Sequence, residues 1–263
     1  MNASGSETPT VSDRLEAPRT ELGRERRRTV DEMEALQTFA DRLRTIDPRT
    51  APRPGSDRTV VPGMSPVAGG LERVRNAYES TVMSVPHYTE EYDDTYCQSL
   101  TEEFAPDIAA ALTDGTAFDE RCKRALLSAV SGSISARESL VGEIDAERES
   151  IDDATETLVP IAEEIDELST MSFQKRSFGA LDAYRSRLEV LEGKCKTVSD
   201  RRQATVFEQR RTRWVPKEFP DIAQYFYQEL SVDYPVMSSV ADLVDAIAEL
   251  RRRIERAMTF CHA

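Results

Sequence analysis

The sequence predicts an all-α protein built on a long antiparallel coiled-coil hairpin, with a small helical base and a disordered N-terminal region. Three observations carry that expectation. First, apolar residues recur at alternating three- and four-residue steps over two long segments, about 118–168 and 178–213. That spacing is the seam of a left-handed coiled coil. Second, the connector between them, Ser169 to Ser177, is short, and short connectors make sequential helices antiparallel neighbours. Third, the charges are complementary. Residues 138–167 hold twelve acids and one base, whereas residues 181–213 hold nine bases and five acids. Exposed pairs contribute only a few tenths of a kcal/mol each, and less in salt. The charges therefore choose the partner arm and the apolar seam holds it.

Residues 1–28 are rich in Ser, Thr, Glu and Arg with few apolar anchors, which reads as a disordered tail. Thr29 and Glu32 have the spacing of a capping box. Met33, Leu36, Phe39 and Leu43 then make one apolar stripe. This predicts an isolated, tethered helix over residues 29–46. Residues 47–70 alternate proline with glycine, from Pro48 to Gly70, and read as a linker. Everything from residue 71 to 263 then reads as one all-helical domain.

Within it, Leu71, Val74, Tyr78 and Val82 step by three and four up to Pro86. Tyr88, Tyr92, Tyr96, Leu100 and Phe104 step by four and predict one helix. Pro106 suits the first turn of a short helix ended by Asp114-Gly115. In the first arm the seam runs through Leu127, Ile134, Val141, Ile144, Ile151, Leu158, Ala162 and Ile165. Arg148 and Thr155 interrupt it, and Pro160 predicts a kink or break. In the second arm Leu181, Tyr184, Leu188, Leu191, Cys195 and Val198 keep the repeat, and Arg202 and Thr205 continue it more weakly. Phe219, Ile222, Tyr225, Phe226 and Tyr227 predict an aromatic helix broken by Pro235. A last helix carries Val240, Leu243, Ile247, Leu250, Ile254, Ala257 and Cys261. This helix and residues 71–112 are expected to pack together at the base of the hairpin.

Composition narrows the function classes. The chain carries 48 acids against 34 Lys plus Arg, a net charge of −14. Such a charge argues against nucleic acid or an anionic membrane as the default partner. Only Lys123, Lys175, Lys194, Lys196 and Lys217 are lysines; the other 29 of the 34 bases are arginine. Excess carboxylate with arginine in place of lysine reads as adaptation to molar salt, because guanidinium is weakly hydrated and pairs carboxylates bidentately. A GC-rich genome is the alternative source of the arginines. The four cysteines are widely separated, with no metal-like spacing. With no leader segment recognised and no long apolar run, the expectation is a cytoplasmic protein without membrane insertion.

No phosphate loop, nucleophile elbow or metalloprotease motif is present in the sequence. His87, Glu90 and Glu91 share one helix face, but a di-metal bundle needs Glu-x-x-His repeated on other helices. Neither an enzyme nor a cofactor is expected, and no catalytic or metal residue is assigned. The interaction candidates are aromatic and basic. Seven of the 18 aromatics lie between Phe207 and Tyr234. Trp214, Phe219, Tyr225 and Tyr227 either plug the base of the hairpin or form a docking patch. Arg201, Arg202 and Arg211 either face the acidic arm or grip phosphates, although molar salt strips counterion-release affinity from such patches.

The segment from Phe178 to His262 contains ALDAYRSRLEVLEGKCKTVSDRRQ and RWVPKEFPDIAQYFYQELSVDYPVMSSVADLVDAI. It resembles a haloarchaeal family of small helical proteins of unknown function, some of which carry a loose transducer-like label. The likeness covers roughly residues 70–263 and implies a helical fold with no catalytic residues to carry over. The function expected is a non-enzymatic interaction or scaffold protein of a halophilic cytoplasm. Its partner would be another protein or a second copy joined through the seam. The alternatives are a nucleic-acid-associated protein using the Arg-rich arm, and a soluble signalling adaptor.

Overall fold

A computed structural model describes residues 10–48, 69–211 and 222–260. All regular structure among them is helical. The helices are α1 (Val11–Thr45), α2 (Gly70–Glu79), α3 (Tyr88–Glu91), α4 (Tyr96–Glu103), α5 (Pro106–Thr113), α6 (Glu120–Thr170), α7 (Phe178–Arg211), α8 (Ile222–Tyr227) and α9 (Pro235–Thr259). They form two compact units. One is Arg26–Gly142; the other joins Met1–Glu25 to Glu143–Ala263.

The first helix starts far earlier than Thr29. Thr10 opens it, its hydroxyl 3.1 Å from the Asp13 backbone N–H and its own N–H 3.2 Å from the Asp13 carboxylate. Residues 11–28 are therefore helical, not a disordered tail; residues 1–9 lie outside the described residues. The anchors are Leu15 and Leu22, both without solvent exposure. Two leucines seven apart look sparse in sequence, yet they fill one face completely once a bundle covers it. Thr29 is not a cap but a buried residue inside the helix. Nor is residue 29–46 an isolated helix. Leu36, Phe39, Leu43 and Ile46 belong to the core of the 26–142 unit. The Pro/Gly linker falls mostly at residues 49–68, outside the described residues.

In that unit the core centres on Tyr78. Its ring meets Phe39 edge-on at 5.2 Å and Tyr96 at 5.8 Å, and its hydroxyl lies 2.9 Å from that of Ser99. Burial holds the Tyr78 phenol far above its ordinary range, against the opposing Ser99 hydrogen bond. Lys123 of α6 closes the end of α1 by donating to the Arg44 and Ile46 carbonyls at 2.9 and 2.8 Å, a cation at the negative end of a helix. Gly70 lets α2 approach the chain before α6: a Cβ there would stand 2.7 Å from Phe118 Cβ. The expected helix through Tyr88, Tyr92 and Tyr96 is two helices. Asp93 takes a left-handed conformation, φ 45°, and a Thr95/Gln98 capping box starts α4 afresh. Asp tolerates that conformation better than most residues.

In the other unit α6 and α7 form the antiparallel hairpin. Glu164 bonds Arg187 near its connector end, and Glu147 bonds Arg202 farther along. The buried α6 positions are Ile144, Glu147, Ile151, Ala154, Leu158, Ile161, Ile165 and Leu168. The seam thus passes through Glu147 and Ala154, not past interruptions at Arg148 and Thr155, and through Ile161 instead of Ala162. In the 26–142 unit Leu126 and Val130 take the fully buried places, with Leu127 and Ile134 partly buried beside them. Helix α6 also continues unbroken through Pro160. That proline is exposed, so the Glu156 carbonyl deprived of its amide partner faces water. Opposite it, Leu181, Leu188, Leu191, Cys195 and Val198 are all buried, each leucine contributing about 1.5–3 kcal/mol.

Helix α9 packs along α7, and Arg251 pairs with Glu192. Its buried row is Val236, Val240, Leu243, Ile247, Leu250 and Ile254. This last helix and residues 71–112, expected to pack together, fall in different units. The α9 stripe is a heptad seam, and the long apolar edge of α7 accommodates it where short helices would not. Arg14 of α1 pairs with Asp242, and Arg19 pairs with Asp152 at 2.7 Å. The hairpin is thereby part of a four-helix packing.

Candidate functional site

Position 147 is three residues after Ile144 and four before Ile151, a seam slot that ordinarily takes an apolar residue. Glu147 occupies it with no exposure. On α7 the corresponding slots past Val198 hold Arg202 and Gln209, also buried. The Arg202 guanidinium donates to both Glu147 oxygens, at 2.7 and 2.6 Å. Gln209 adds a bond at 2.8 Å and the Tyr227 hydroxyl one at 2.6 Å. Arg202 also reaches the Ser150 hydroxyl at 3.1 Å. Burial alone would raise the Glu147 pKa. The Arg202 bonds and charge, with Tyr227 and Gln209, outweigh burial and hold the carboxyl below its ordinary value. Burial, then the Glu147 charge, drives the Tyr227 phenol well above its own. Four donated bonds occupy this carboxylate, so it holds α6, α7 and α8 together and has no free lone pair directed at a reactant.

The 26–142 unit carries a second network. Arg137 of α6 donates to Glu32 of α1 at 2.9 Å and to both oxygens of Glu103 of α4, at 2.9 and 2.7 Å. Glu32 also accepts from the Tyr92 hydroxyl at 2.7 Å and lies 3.2 Å from His87 Nε2. Burial opposes ionisation of Glu32, but Arg137 and the hydrogen bonds from Tyr92 and His87 win, leaving it below its ordinary value. His87 and Glu91 are thus committed to α1, the latter through Arg28. No group of three or more possible metal ligands occurs among the described residues.

The predicted interaction residues separate. Arg202 and Tyr227 do not lie on a surface: both are buried and converge on Glu147. Tyr225 is half-buried, its ring 5.4 Å from that of Phe226. Arg211 is exposed and pairs with Glu208 on its own helix. Trp214 and Phe219 lie outside the described residues. Arg201 is exposed beside an open groove of about 370 Å³ between the two arms, floored by Ile161, Leu191 and Val198. Arg187, Lys194 and Arg201 rim it. Seven-residue spacing sets these three bases along one side of α7 over about 21 Å. Of them, Arg187 alone forms an ion pair among the described residues, with Glu164 at 2.6 Å.

Sequence reasoning missed Glu147, Glu32, Glu103 and Arg137. The available signal for Glu147 was its seam position, matched by Arg202 four residues after Val198. The sequence profile of a domain of unknown function, DUF7260, matches residues 13–251. The chain belongs to that family. The match spans both units and includes most of the early part of α1. No curated protein and no solved structure matches the chain. Among the described residues no helix is long and apolar enough to cross a membrane.

Proposed function

We propose that this member of the family is a non-enzymatic interaction or scaffold protein of a salt-rich cytoplasm, haloarchaeal in its composition. The groove between α6 and α7 is its contact surface for a partner protein. The observation that carries the reading is the row Arg187, Lys194 and Arg201 along an open groove with an apolar floor. Within each unit the buried charges are spent on internal partners, Arg137 on Glu32 and Glu103 and Arg202 on Glu147, whereas Lys194 and Arg201 remain exposed. Apolar floor and polar rim is the usual anatomy of a protein-binding patch. Phosphate binding draws less support. Arg202 is buried in the hairpin and Arg211 is paired, which leaves few cations for the counterion release that drives it.

The test is a tagged pull-down from lysate held at molar salt, comparing the wild-type chain with Lys194→Glu/Arg201→Glu. Both sites are exposed, so the variant is expected to fold. A stoichiometric protein captured by the first and lost by the second supports the groove. Equal capture by both would remove it, and nucleic acid retained in its place would reverse the order of the two readings.

A further inference from the structure

The groove between α6 and α7 has two edges of opposite charge. The α7 edge carries Arg187, Lys194 and Arg201; the α6 edge carries Glu164 and Glu156, then Asp153 where the groove continues beside Arg201. Arg187 and Glu164 are bonded to each other. Lys194, Arg201, Asp153 and Glu156 are exposed and form no ion pair among the described residues.

The pairs Glu164–Arg187 and Glu147–Arg202 fix the levels of the two antiparallel arms, since a step forward along α6 matches a step back along α7. Glu156 therefore stands level with Lys194, and Pro160 level with Val190. Pro160 is exposed and Val190 is 51% exposed. A single exposed apolar residue is ordinary. Here two share one level on facing arms, Pro160 between Glu156 and Glu164 and Val190 between Arg187 and Lys194. Such a surface is complementary to itself. A second hairpin turned over about an axis along the groove lays its α6 on this α7 and its α7 on this α6, with every level kept. The second copy's Pro160 then meets Val190, its Glu156 meets Lys194, and its Asp153 comes within about one turn of Arg201. Each contact occurs twice, as an isologous interface requires. Turning the second hairpin end over end sets acid on acid, so the charges select one orientation. A purely acidic partner would match the α7 edge and be repelled by Asp153 and Glu156.

We propose that this groove joins two copies of the chain in a two-fold dimer. The proposal rests on the reading of the groove as a contact surface and names its occupant. The experiment is sedimentation equilibrium of the full chain in molar KCl, which screens the −14 of each copy beyond about 3 Å. Wild type is expected at twice the mass of one chain. Lys194→Glu/Arg201→Glu makes the α7 edge acidic, and Asp153→Lys/Glu156→Lys makes the α6 edge basic. Each variant alone should dimerise about tenfold or more weakly, and so should Val190→Asp at the apolar crest. The two charge variants mixed in equal amounts should dimerise with each other, because every contact again joins opposite charges. All five positions are exposed, and helical circular dichroism establishes that each variant is folded. Wild type at the mass of one chain overturns the second copy as occupant. If the lysate pull-down then still captures a protein that Lys194→Glu/Arg201→Glu loses, the groove stands as a contact surface for another protein. A dimer unchanged in the variants, or a mixture that stays monomeric, overturns the proposed arrangement as well.

Discussion

Replacing Glu147 with leucine tests the central claim about the hairpin. The change keeps a side chain of similar volume in the seam slot but leaves the Arg202 guanidinium, 3% exposed, without its counter-charge. Removing one partner of a buried ion pair costs about 3–5 kcal/mol. The orphaned Tyr227 and Gln209 donors place Glu147→Leu toward the upper end. A domain stable by about 5–15 kcal/mol would lose a third or more of its stability. Taking a urea slope near 3 kcal/mol/M, the unfolding midpoint falls by roughly 1–2 M. The double change Glu147→Leu/Arg202→Leu removes the uncompensated charge and should recover most of that loss, since apolar replacements of buried pairs are often neutral or stabilising. The assay is urea unfolding followed by helical circular dichroism at fixed salt. Two results would refute the reasoning: a single mutant within about 1 kcal/mol of wild type, or a double mutant as unstable as the single. The pH dependence gives an independent check. Glu147 is held below its ordinary value of 4.5, so its contribution is complete above that pH and is lost as pH falls beneath it. The double mutant should therefore lose less stability in acid than wild type does.

Three further outcomes follow from the same structure. Arg137→Met leaves Glu32 and Glu103 facing each other with side chains 17% and 14% exposed, and should cost about 2–4 kcal/mol in urea unfolding. Stability equal to wild type would mean that this network is solvated and idle. Gly70→Ala forces a Cβ to within 2.7 Å of Phe118 Cβ; a loss of about 1–3 kcal/mol is expected from overpacking, and a neutral result would show that α2 can shift freely. Among the described cysteines of the native protein, a thiol reagent should modify exposed Cys97 first and buried Cys195 only on unfolding. Burial raises the pKa of both Cys195 and Cys122, so mapping by mass should give neither before Cys97 at neutral pH.

The sequence alone determined the helical class and the apolar edge of the second arm. Leu181, Leu188, Leu191, Cys195 and Val198 are buried as their spacing predicts, because a heptad repeat on a helix has one face to hide wherever the helix docks. The pairing of the arms was legible on other grounds, a short connector and opposite charge. Three things were settled only in three dimensions. The start of α1 at Val11 depends on a bundle to cover Leu15 and Leu22; without it two leucines in a polar stretch do not stabilise a helix. The course of the α6 seam through Glu147 depends on Arg202, 55 positions away in the chain, since a carboxylate is tolerable in a core slot only when a buried cation and further donors meet it. The docking of α9 on α7 was undetermined because an apolar stripe states how much surface must be buried and not against which neighbour. Periodicity is a property of one helix, whereas the satisfaction of a buried charge and the choice of packing partner belong to several helices at once.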